Sequence, residues 1–299
     1  MGNICVVFNP TAGSRRRRLL QRVLGILIER HADLRVEETR AAGDARRIAG
    51  DLPHTTDTIV VAGGDGTINE VINGLAASDA KGVHLPDLAL VPLGTANVLA
   101  AEIGLTDLSP GNIAETIAAG RRHDVYLARA DGHYFVQMCG VGFDAHVVAN
   151  VDLRLKRRLK KLAYVLSSLL QIRRYSPRKY RVTIAGRLYE AASVIVANGH
   201  YYGGRFICAP QACIHEARLY ACLFQRTGRW HLIRYAWGLL SGRLSHFDDV
   251  EMVPAENIVI ESIAPQAEPE PVQGDGDIIA QLPITITAGA ARLTMRCPA

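Results

Sequence analysis

The chain has 299 residues, enough for about two domains that each bury their own hydrophobic core. Its hydrophobic share of 48% and charged share of 21% are ordinary for a globular protein. No run approaches the roughly 18 apolar residues that a membrane-spanning helix needs, and the N-terminus lacks the pattern of a secretory signal. The six cysteines include no C-x-x-C pair, so we expect reduced core residues of a cytoplasmic protein.

The net charge of +5 is concentrated in two basic clusters. One is Arg15 to Arg18, and the other is the run RLKRRLKK at 154–161. Such clusters favour anionic partners, namely nucleotide phosphates, nucleic acid or an anionic membrane surface. Because no nucleic-acid-binding motif accompanies them, we expect no nucleic-acid partner.

The first 124 residues alternate between continuous apolar runs and segments with helical spacing of apolar residues. This pattern predicts an α/β domain with a doubly wound parallel sheet, covered by helices on both faces. The predicted strands are 4–8, 34–39, 58–62 and 88–91, and the predicted helices are 19–28, 41–51, 68–75, 98–103 and 112–120.

From residue 125 onwards short strand patterns dominate, which predicts an antiparallel β-sandwich-like domain over 125–299. Two helices are expected within it, at 153–174 and 230–240, and a Pro-, Glu- and Gln-rich loop at 264–274. The predicted strands are 124–130, 134–140, 180–184, 193–197, 219–224, 257–262, 278–280, 284–287 and 292–296.

Three glycine-containing turns each follow a predicted strand of the first half: Asn9 to Gly13, Gly63 to Thr67, and Leu93 to Asn97. In a doubly wound sheet all three leave the carboxyl ends of strands, where such folds bind ligands. Glycines let the backbone approach a phosphate, and each turn opens a helix whose N-terminus attracts anions. The candidate phosphate-binding residues are Asn9, Gly13, Gly63, Gly64, Gly66, Thr67, Gly94, Thr95 and Asn97.

Two charged features bear on this predicted phosphate site. Asp65 would repel a phosphate unless it handles a magnesium ion or a proton beside the transferred group. Arg15 to Arg18 lie at a helix start, where positive charge is unfavourable unless an anion binds there. We therefore add Arg16 to the candidates, with a solvated basic helix start as the open alternative.

On these residues the sequence resembles the diacylglycerol kinase catalytic-domain family, which includes sphingosine kinases and bacterial lipid kinases. The matching motifs extend over nearly the whole chain. They are N-P-x-x-G at 9–13, V-A-G-G-D-G-T-I-N-E at 61–70, P-L-G-T-A-N at 92–97, G-V-G-F-D-A at 140–145, G-G-R-F-I-C-A-P at 203–210, and D-G-D at 275–277, where the family usually has D-G-E. The G-G-D-G-T motif is shared with NAD kinases and echoed in phosphofructokinases.

The resemblance implies a lipid kinase that moves the γ-phosphate of ATP onto a lipid hydroxyl, most simply that of diacylglycerol. It implies ATP and Mg2+ as cofactors, a nucleotide site that includes Glu70, and a lipid-binding second domain. Asp275 would be the base that takes the hydroxyl proton, and Asp65 and Asp277 would act near magnesium. A simple turn at 275–277 is the alternative. The altered stretch 214–218 argues against a second, structural magnesium site.

The expected partner is a lipid at the inner face of the membrane. The leucine stripe and basic residues of 153–174 predict an interfacial helix, with domain packing as the alternative. Trp230, Tyr235 and Trp237, beside Arg229 and Arg234, form a second candidate, which could equally fill a core. A homodimer is left open. The rival functions are a soluble-substrate kinase of the NAD kinase type and a catalytically silent lipid-binding protein.

Overall fold

The computed structural model describes residues 2–12, 17–30, 33–79, 82, 84–150, 175, 178–263 and 269–299. The chain forms two compact units: Met1–Tyr126 with Ala291–Ala299, and Leu127–Ala290. The last nine residues thus belong with the first unit, whereas the predicted partition assigned everything after residue 124 to the second domain. The predicted helix at 153–174 lies outside the described residues. No helix in the described ranges is long and apolar enough to cross a bilayer.

The first unit is built on a parallel sheet whose strand order is β2-β1-β3-β4. The end of the last strand of the chain adds to it, because Met295 pairs with Leu88 in parallel. The elements are β1 (Asn3–Phe8), α1 (Arg17–Glu29), β2 (Asp33–Glu38), α2 (Asp44–Gly50), β3 (Thr58–Gly63), α3 (Asp65–Asp79), β4 (Asp87–Pro92), α4 (Val98–Glu102), α5 (Pro110–Ala119) and the start of β5 (Arg121–Ala130).

Burial along the strands explains their continuous apolar sequences. Every residue of β3 and β4 is buried, and β1 is buried from Ile4 to Phe8. β2 lies at the edge of the sheet and is mostly exposed, which fits its sequence DLRVEE. α1 packs with α5 and α2 with α3. The predicted doubly wound parallel sheet is confirmed.

The second unit contains an antiparallel sheet of order β14-β13-β10-β7-β16-β17 and a second group of strands of order β18-β15-β8-β9. Its elements are the end of β5, β6 (His133–Phe135), β7 (Met138–Val141), α6 (Phe143–Ala149), β8 (Tyr180–Ile184), β9 (Arg187–Ala191), β10 (Ser193–Ala197), β11 (Tyr201–Tyr202), β12 (Phe206–Ile207), β13 (Leu219–Phe224), α7 (Arg229–Leu240), a 3₁₀ helix (Leu244–His246), β14 (Val250–Ala255), β15 (Asn257–Ser262), β16 (Pro271–Gly274), β17 (Asp277–Gln281) and β18 (Ile284–Cys297).

One hydrophobic core joins the two groups of strands, so the predicted sandwich-like architecture is confirmed. Val182 and Ile258 from one group and Val194 and Val272 from the other belong to the same buried cluster. A second cluster lies under α7 and the 3₁₀ helix. Alternate residues of β13 contribute to each cluster, with Leu223 in the first and Phe224 in the second. Both faces of this central strand are therefore buried, which is why it is continuously apolar.

Several predicted elements differ from the observed ones. The predicted loop at 264–274 is wrong at its end, where Pro271–Gly274 is β16 and pairs with β7 and β17. The predicted strands 284–287 and 292–296 are a single strand, since the small residues between them do not interrupt it. The predicted strand 134–140 is divided into β6 and β7. The sequence patterns also missed α6, β9 and β14.

Asp87, almost fully buried in β4, is held by two arginines of the first unit. Arg122 Nη2 and Arg296 Nε lie 2.6 and 2.7 Å from its carboxylate oxygens. Replacement Asp87→Asn leaves these guanidinium groups without their anion, so we expect about 2–4 kcal/mol of destabilisation. Urea unfolding followed by circular dichroism measures it.

The matched control is Asp124→Asn. Asp124 pairs with Arg292 at 3.1 Å in the same unit, but both side chains are exposed. We expect a change of about 0–1 kcal/mol there, because solvent screens the pair. Equal destabilisation by the two substitutions would contradict the larger contribution of the buried Asp87 ion pairs to stability.

Candidate active site

The three glycine loops follow β1, β3 and β4, at the carboxyl ends of neighbouring parallel strands, as predicted. Gly13 and Arg16 lie outside the described residues. Of the basic cluster, Arg17 and Arg18 begin α1; the Arg17 guanidinium lies 3.5 Å from Glu38 and over the ring of Phe8. The remaining candidates of the first unit lie on these loops or on the helices that follow them.

Asn9 fastens the first loop to the second. Its backbone N–H donates to the carbonyl of Ala62 at 3.0 Å, and its side-chain Nδ2 donates to Thr67 Oγ1 at 2.9 Å. The side-chain oxygen of Asn9 accepts from the backbone N–H and the hydroxyl of Thr11. Both candidates Asn9 and Thr67 therefore connect loops, and the first loop is shaped by Asn9 itself.

The second and third loops touch backbone to backbone at Gly64 and Gly94. A Cβ atom on Gly94 would lie 2.7 Å from the Gly64 Cα and 2.6 Å from Asn97 Oδ1. A Cβ on Gly64 would lie 3.2 Å from the Gly94 Cα. Real Cβ atoms do not tolerate the closer approach, so glycine at position 94 is what allows the two loops to meet.

Asp65, the first residue of α3, joins the same two loops through its carboxylate. Oδ2 accepts from the backbone N–H of Asn97 at 2.9 Å, and Oδ1 accepts from that of Val98 at 2.7 Å. Asn97 has a left-handed backbone, with φ of 50°, and directs these two N–H groups of the α4 start towards Asp65. The carboxylate thus occupies the anion position at the N-terminus of α4, where the sequence pattern predicted a phosphate.

The electrostatics of Asp65 combine two opposing effects. Burial raises the pKa of its carboxyl, and the hydrogen bonds from Val98 and Asn97 oppose that rise. The first helical hydrogen bond of α3 runs from Ile68 N to Gly64 O, so the N–H groups of residues 65–67 precede the helical ladder. The start of α3 therefore has backbone N–H groups outside the helical ladder, as an anion-binding helix terminus requires.

The other predicted residues of the first unit have varied surroundings. Glu70 accepts from the backbone N–H groups of Gly43 and Ala45 at 3.0 and 3.1 Å, so its carboxylate caps the start of α2. A Cβ on Gly63 would clash with the Thr67 side chain. Gly66 is exposed in the first turn of α3, and Thr95 is exposed on the third loop. Their assignment to nucleotide binding stays a prediction.

Asp275, the predicted base, is the first central residue of a two-residue hairpin turn between β16 and β17. Asp275 and Gly276 both have positive φ, 49° and 91°, as a type I′ turn requires. Asp275 thus lies in a turn, and its assignment as the base stays a prediction. Oδ2 accepts from Val136 N at 2.9 Å, and Oδ1 accepts from Gln137 N and Met138 N at 2.9 and 3.1 Å.

These bonds explain why the β6–β7 region is interrupted at residues 136–137. The backbone N–H groups there bond to a side chain of the hairpin, and Asp275 N donates in return to Met138 O at 3.0 Å. Gln137 is nearly fully buried, and neither polar atom of its side chain has a hydrogen-bond partner among the residues that the structure describes. The Asp275 carboxylate is thus fixed in position, and one of its backbone donors belongs to Gln137, whose own side-chain amide is buried.

Asp144, a buried carboxylate in the first turn of α6, was not singled out from the sequence. Gln273 Nε2 donates to its Oδ2 at 2.6 Å, and the Tyr202 hydroxyl donates to its Oδ1. Burial raises the pKa of Asp144, and the bonds from Tyr202 and Gln273 oppose the rise. Gln273 Oε1 also accepts from Gly276 N at 2.9 Å, which connects Asp144 to the Asp275 hairpin.

The motif G-V-G-F-D-A contains Asp144 and a glycine, Gly140, that lies against it. A Cβ on Gly140 would lie 1.8 Å from Asp144 Oδ2, so the glycine makes room for this carboxylate. A motif that combines glycines with one acidic residue points to such a buried acid.

The predicted magnesium residues differ in their surroundings. Asp277 is exposed at the start of β17, whereas Asp65 is partly buried and bonded to two backbone N–H groups. Among the residues that the structure describes, no group of three or more His, Cys, Asp or Glu could hold a metal ion. This donor set does not fit a protein-only metal cage, but it fits a magnesium ion held mainly by phosphate oxygens and one or two carboxylates.

Replacement Gly94→Ala tests whether the contact between the second and third loops matters for the site. The added Cβ must push the loops apart, and a displacement of about 1 Å can reduce activity by about 10²-fold. We expect nucleotide affinity, measured by isothermal titration calorimetry, to fall by at least about tenfold. Gly111→Ala in α5 is the matched control, because its Cβ would meet nothing within 4 Å. Unchanged affinity in Gly94→Ala would show that the loops can separate without cost.

Comparisons with known proteins agree with this arrangement. Residues 3–130 match the family model described as diacylglycerol kinase catalytic domain, and 137–296 match the YegS C-terminal NAD kinase beta sandwich-like domain. The chain is 27% identical over 255 residues to "Diacylglycerol kinase" of Bacillus subtilis (strain 168), covering 83% of this chain and 81% of the relative.

It is also 32% identical over 207 residues to "Probable lipid kinase YegS-like" of Xanthomonas euvesicatoria pv. vesicatoria (strain 85-10), covering 67% of each chain. A crystal structure of "a putative diacylglycerol kinase" from Bacillus anthracis str. Sterne superimposes with a TM-score of 0.78 at 28% identity, over 99% of this chain and 95% of that one. The chain therefore belongs to the diacylglycerol kinase catalytic-domain family and is a lipid kinase.

Proposed function

We propose that this lipid kinase transfers the γ-phosphate of ATP, with Mg2+, to the hydroxyl of diacylglycerol or a related lipid. The observation that carries the proposal is the set of three loops joined at the carboxyl ends of β1, β3 and β4. The three loops are connected by contacts of Asn9 with Thr67, of Gly64 with Gly94, and of Asp65 with the start of α4. Loops connected in this way present a preformed surface to phosphates, so little ordering is needed when nucleotide binds.

In this proposal the first unit binds the nucleotide. The backbone of the second loop and the start of α3 face the phosphates, because that helix terminus carries N–H groups outside the helical ladder. Magnesium would be held by phosphate oxygens and Asp65, and it would neutralise charge on the transferred group. The assignment of Asp277 to magnesium stays a prediction. The two bonds from the α4 start fix the orientation of the Asp65 carboxylate.

Asp275 would take the proton from the lipid hydroxyl as the hydroxyl oxygen attacks the γ-phosphorus and the bond to the departing ADP oxygen breaks. The three backbone bonds to its carboxylate support this role, since a base must be held in one orientation to be efficient. The names of the relatives favour a lipid acceptor over the soluble acceptor of an NAD kinase.

Replacement Asp275→Asn tests the base directly. Asn tolerates the left-handed turn position but cannot accept a proton, so we expect kcat to fall by about 10²–10⁴-fold. Because the Asn side chain has one acceptor oxygen where Asp275 uses two, circular dichroism checks that the variant is folded. The assay measures transfer of labelled γ-phosphate to a panel of lipids in mixed micelles with magnesium, and labelled product is extracted into organic solvent. Addition of a chelator should abolish the transfer.

Asp131→Asn is the matched control. Asp131 also has a positive φ, 50°, precedes a glycine, and accepts a backbone N–H, that of Thr285 at 3.2 Å. We expect near wild-type transfer from it. Label on NAD in the aqueous phase would replace the proposal with an NAD kinase-type activity, and lipid binding without any transfer would favour a catalytically silent protein.

A further inference from the structure

Helix α7 has apolar side chains on two opposite sides. Tyr235 and Gly238 are buried on the inner side. On the outer side Trp230, Ile233, Trp237 and Leu240 are exposed, and their spacing of three and four residues places them on one face. The tryptophans are exposed by 82% and 53%. A helix that packs into a core needs only one apolar face, and nothing in the described part of the chain accounts for the outer one.

The inner side shows that the helix is held firmly in place. The Tyr235 hydroxyl and Arg234 Nη1 donate to Asp249 Oδ2 at 2.8 and 2.7 Å, and Arg234 lies over the ring of Phe247. The Tyr235 ring packs edge-on against Phe224, with centroids 5.0 Å apart. Because Arg234 and Tyr235 hold the helix in place, the outer apolar face of α7 has a defined position on the surface.

Two further features extend this surface. β12 contacts α7, and its Phe206 and Ile207 are exposed. Between residues 216 and 249 the sequence has five arginines against three acids, Glu216, Asp248 and Asp249, and Asp249 is bonded to Arg234. Exposed arginines of this stretch are Arg218, Arg226, Arg229 and Arg243; Arg226 lies 3.7 Å from Asp249, and Arg243 lies 5.9 Å from the Trp237 ring centroid. The apolar face is thus bordered by positive charge, with indole groups at the border.

We propose that the outer face of α7 docks the protein on an anionic lipid bilayer. Tryptophan is favoured at the level of lipid headgroups, arginine is attracted to anionic lipids, and the apolar side chains can enter the acyl boundary. This inference rests on the proposed function, since a lipid kinase must reach a substrate held in a membrane.

A second copy of the chain is the competing occupant, and the charge argues against it. A two-fold symmetric interface places the same patch of each copy against the other. The excess of arginine in this stretch would then be brought together from both copies, and like charges oppose such an interface. An anionic bilayer complements the same surface.

The chain reports on this contact by itself, because its only two tryptophans are Trp230 and Trp237. The experiment adds vesicles of phosphatidylcholine, with and without phosphatidylglycerol, to the full chain in the absence of nucleotide, and records tryptophan emission and co-sedimentation. We expect a blue shift and binding with the anionic vesicles, both weakened by added salt because the attraction is partly electrostatic.

The variant Ile233→Asp with Leu240→Asp adds two charges to the apolar face and leaves both tryptophans as reporters. We expect its binding to fall by at least about tenfold and its blue shift to disappear. The matched control, Ile28→Asp with Leu188→Asp, adds the same charge at side chains exposed by 61% and 68% on α1 and β9. The control should bind like wild type.

Three outcomes would overturn the proposal. They are no vesicle binding by the wild type, equal loss of binding in both double variants, or a blue shift that depends on protein concentration without vesicles, which would indicate a dimer. A second assay, phosphorylation of a water-soluble short-chain diacylglycerol, separates membrane docking from the kinase reaction. The α7 variant should retain this phosphorylation. If the wild type does not phosphorylate the soluble lipid, that result counts against the kinase reaction and leaves the vesicle result intact.

Discussion

The loop cluster depends on the hydrogen bonds between the Asp65 carboxylate and the start of α4. Burial of a carboxylate is unfavourable, and it raises the pKa of Asp65. Two backbone N–H groups, from Asn97 and Val98, offset that cost and at the same time position the third loop against the second. Gly64 and Gly94 can approach closely because neither residue has a side chain to separate the loops.

A similar principle organises the second unit. Asp275 could have been a simple turn residue, since Asp-Gly is favoured in type I′ hairpins. Its carboxylate instead receives three backbone N–H groups from residues 136–138, which interrupts the strand pattern there. In each unit, therefore, a predicted catalytic carboxylate is fixed by main-chain donors from a neighbouring segment. Main-chain donors move less than side chains, which suits groups that must be held for chemistry.

Much of the fold followed from local patterns, and the failures have physical causes. The buried parallel strands and the three loops were predictable, because continuous apolar runs and glycine turns are local signals. β16 was missed because Pro271 and Gln273 give no apolar alternation, and its pairing with β7 is a tertiary contact. The gap assumed between 287 and 292 was wrong because strand pairing uses the backbone and tolerates small side chains.

For the site, the residues were predictable but their partners were not. Glu70 belongs to the G-G-D-G-T-I-N-E motif, yet its carboxylate caps α2 through Gly43 and Ala45, which no spacing in the sequence indicates. Asp144 was visible only as one letter of a motif. Its partners Tyr202 and Gln273 lie 58 and 129 residues away along the chain. Long-range pairing of this kind becomes visible only once the sheets bring those segments together.

The aromatic residues of α7 show how the same sequence feature can have two roles. Tyr235 and Trp237 are two positions apart, so on a helix they lie about 200° apart and cannot share a face. Tyr235 is a core residue with a bonded hydroxyl, and Trp237 is exposed. Sequence reasoning grouped them together and left membrane contact and core packing as alternatives for the whole set. The helix has a core side and an exposed side. Asp249 is bonded to Tyr235 and Arg234 of the helix, whereas on the exposed side Arg243 lies beside the Trp237 ring.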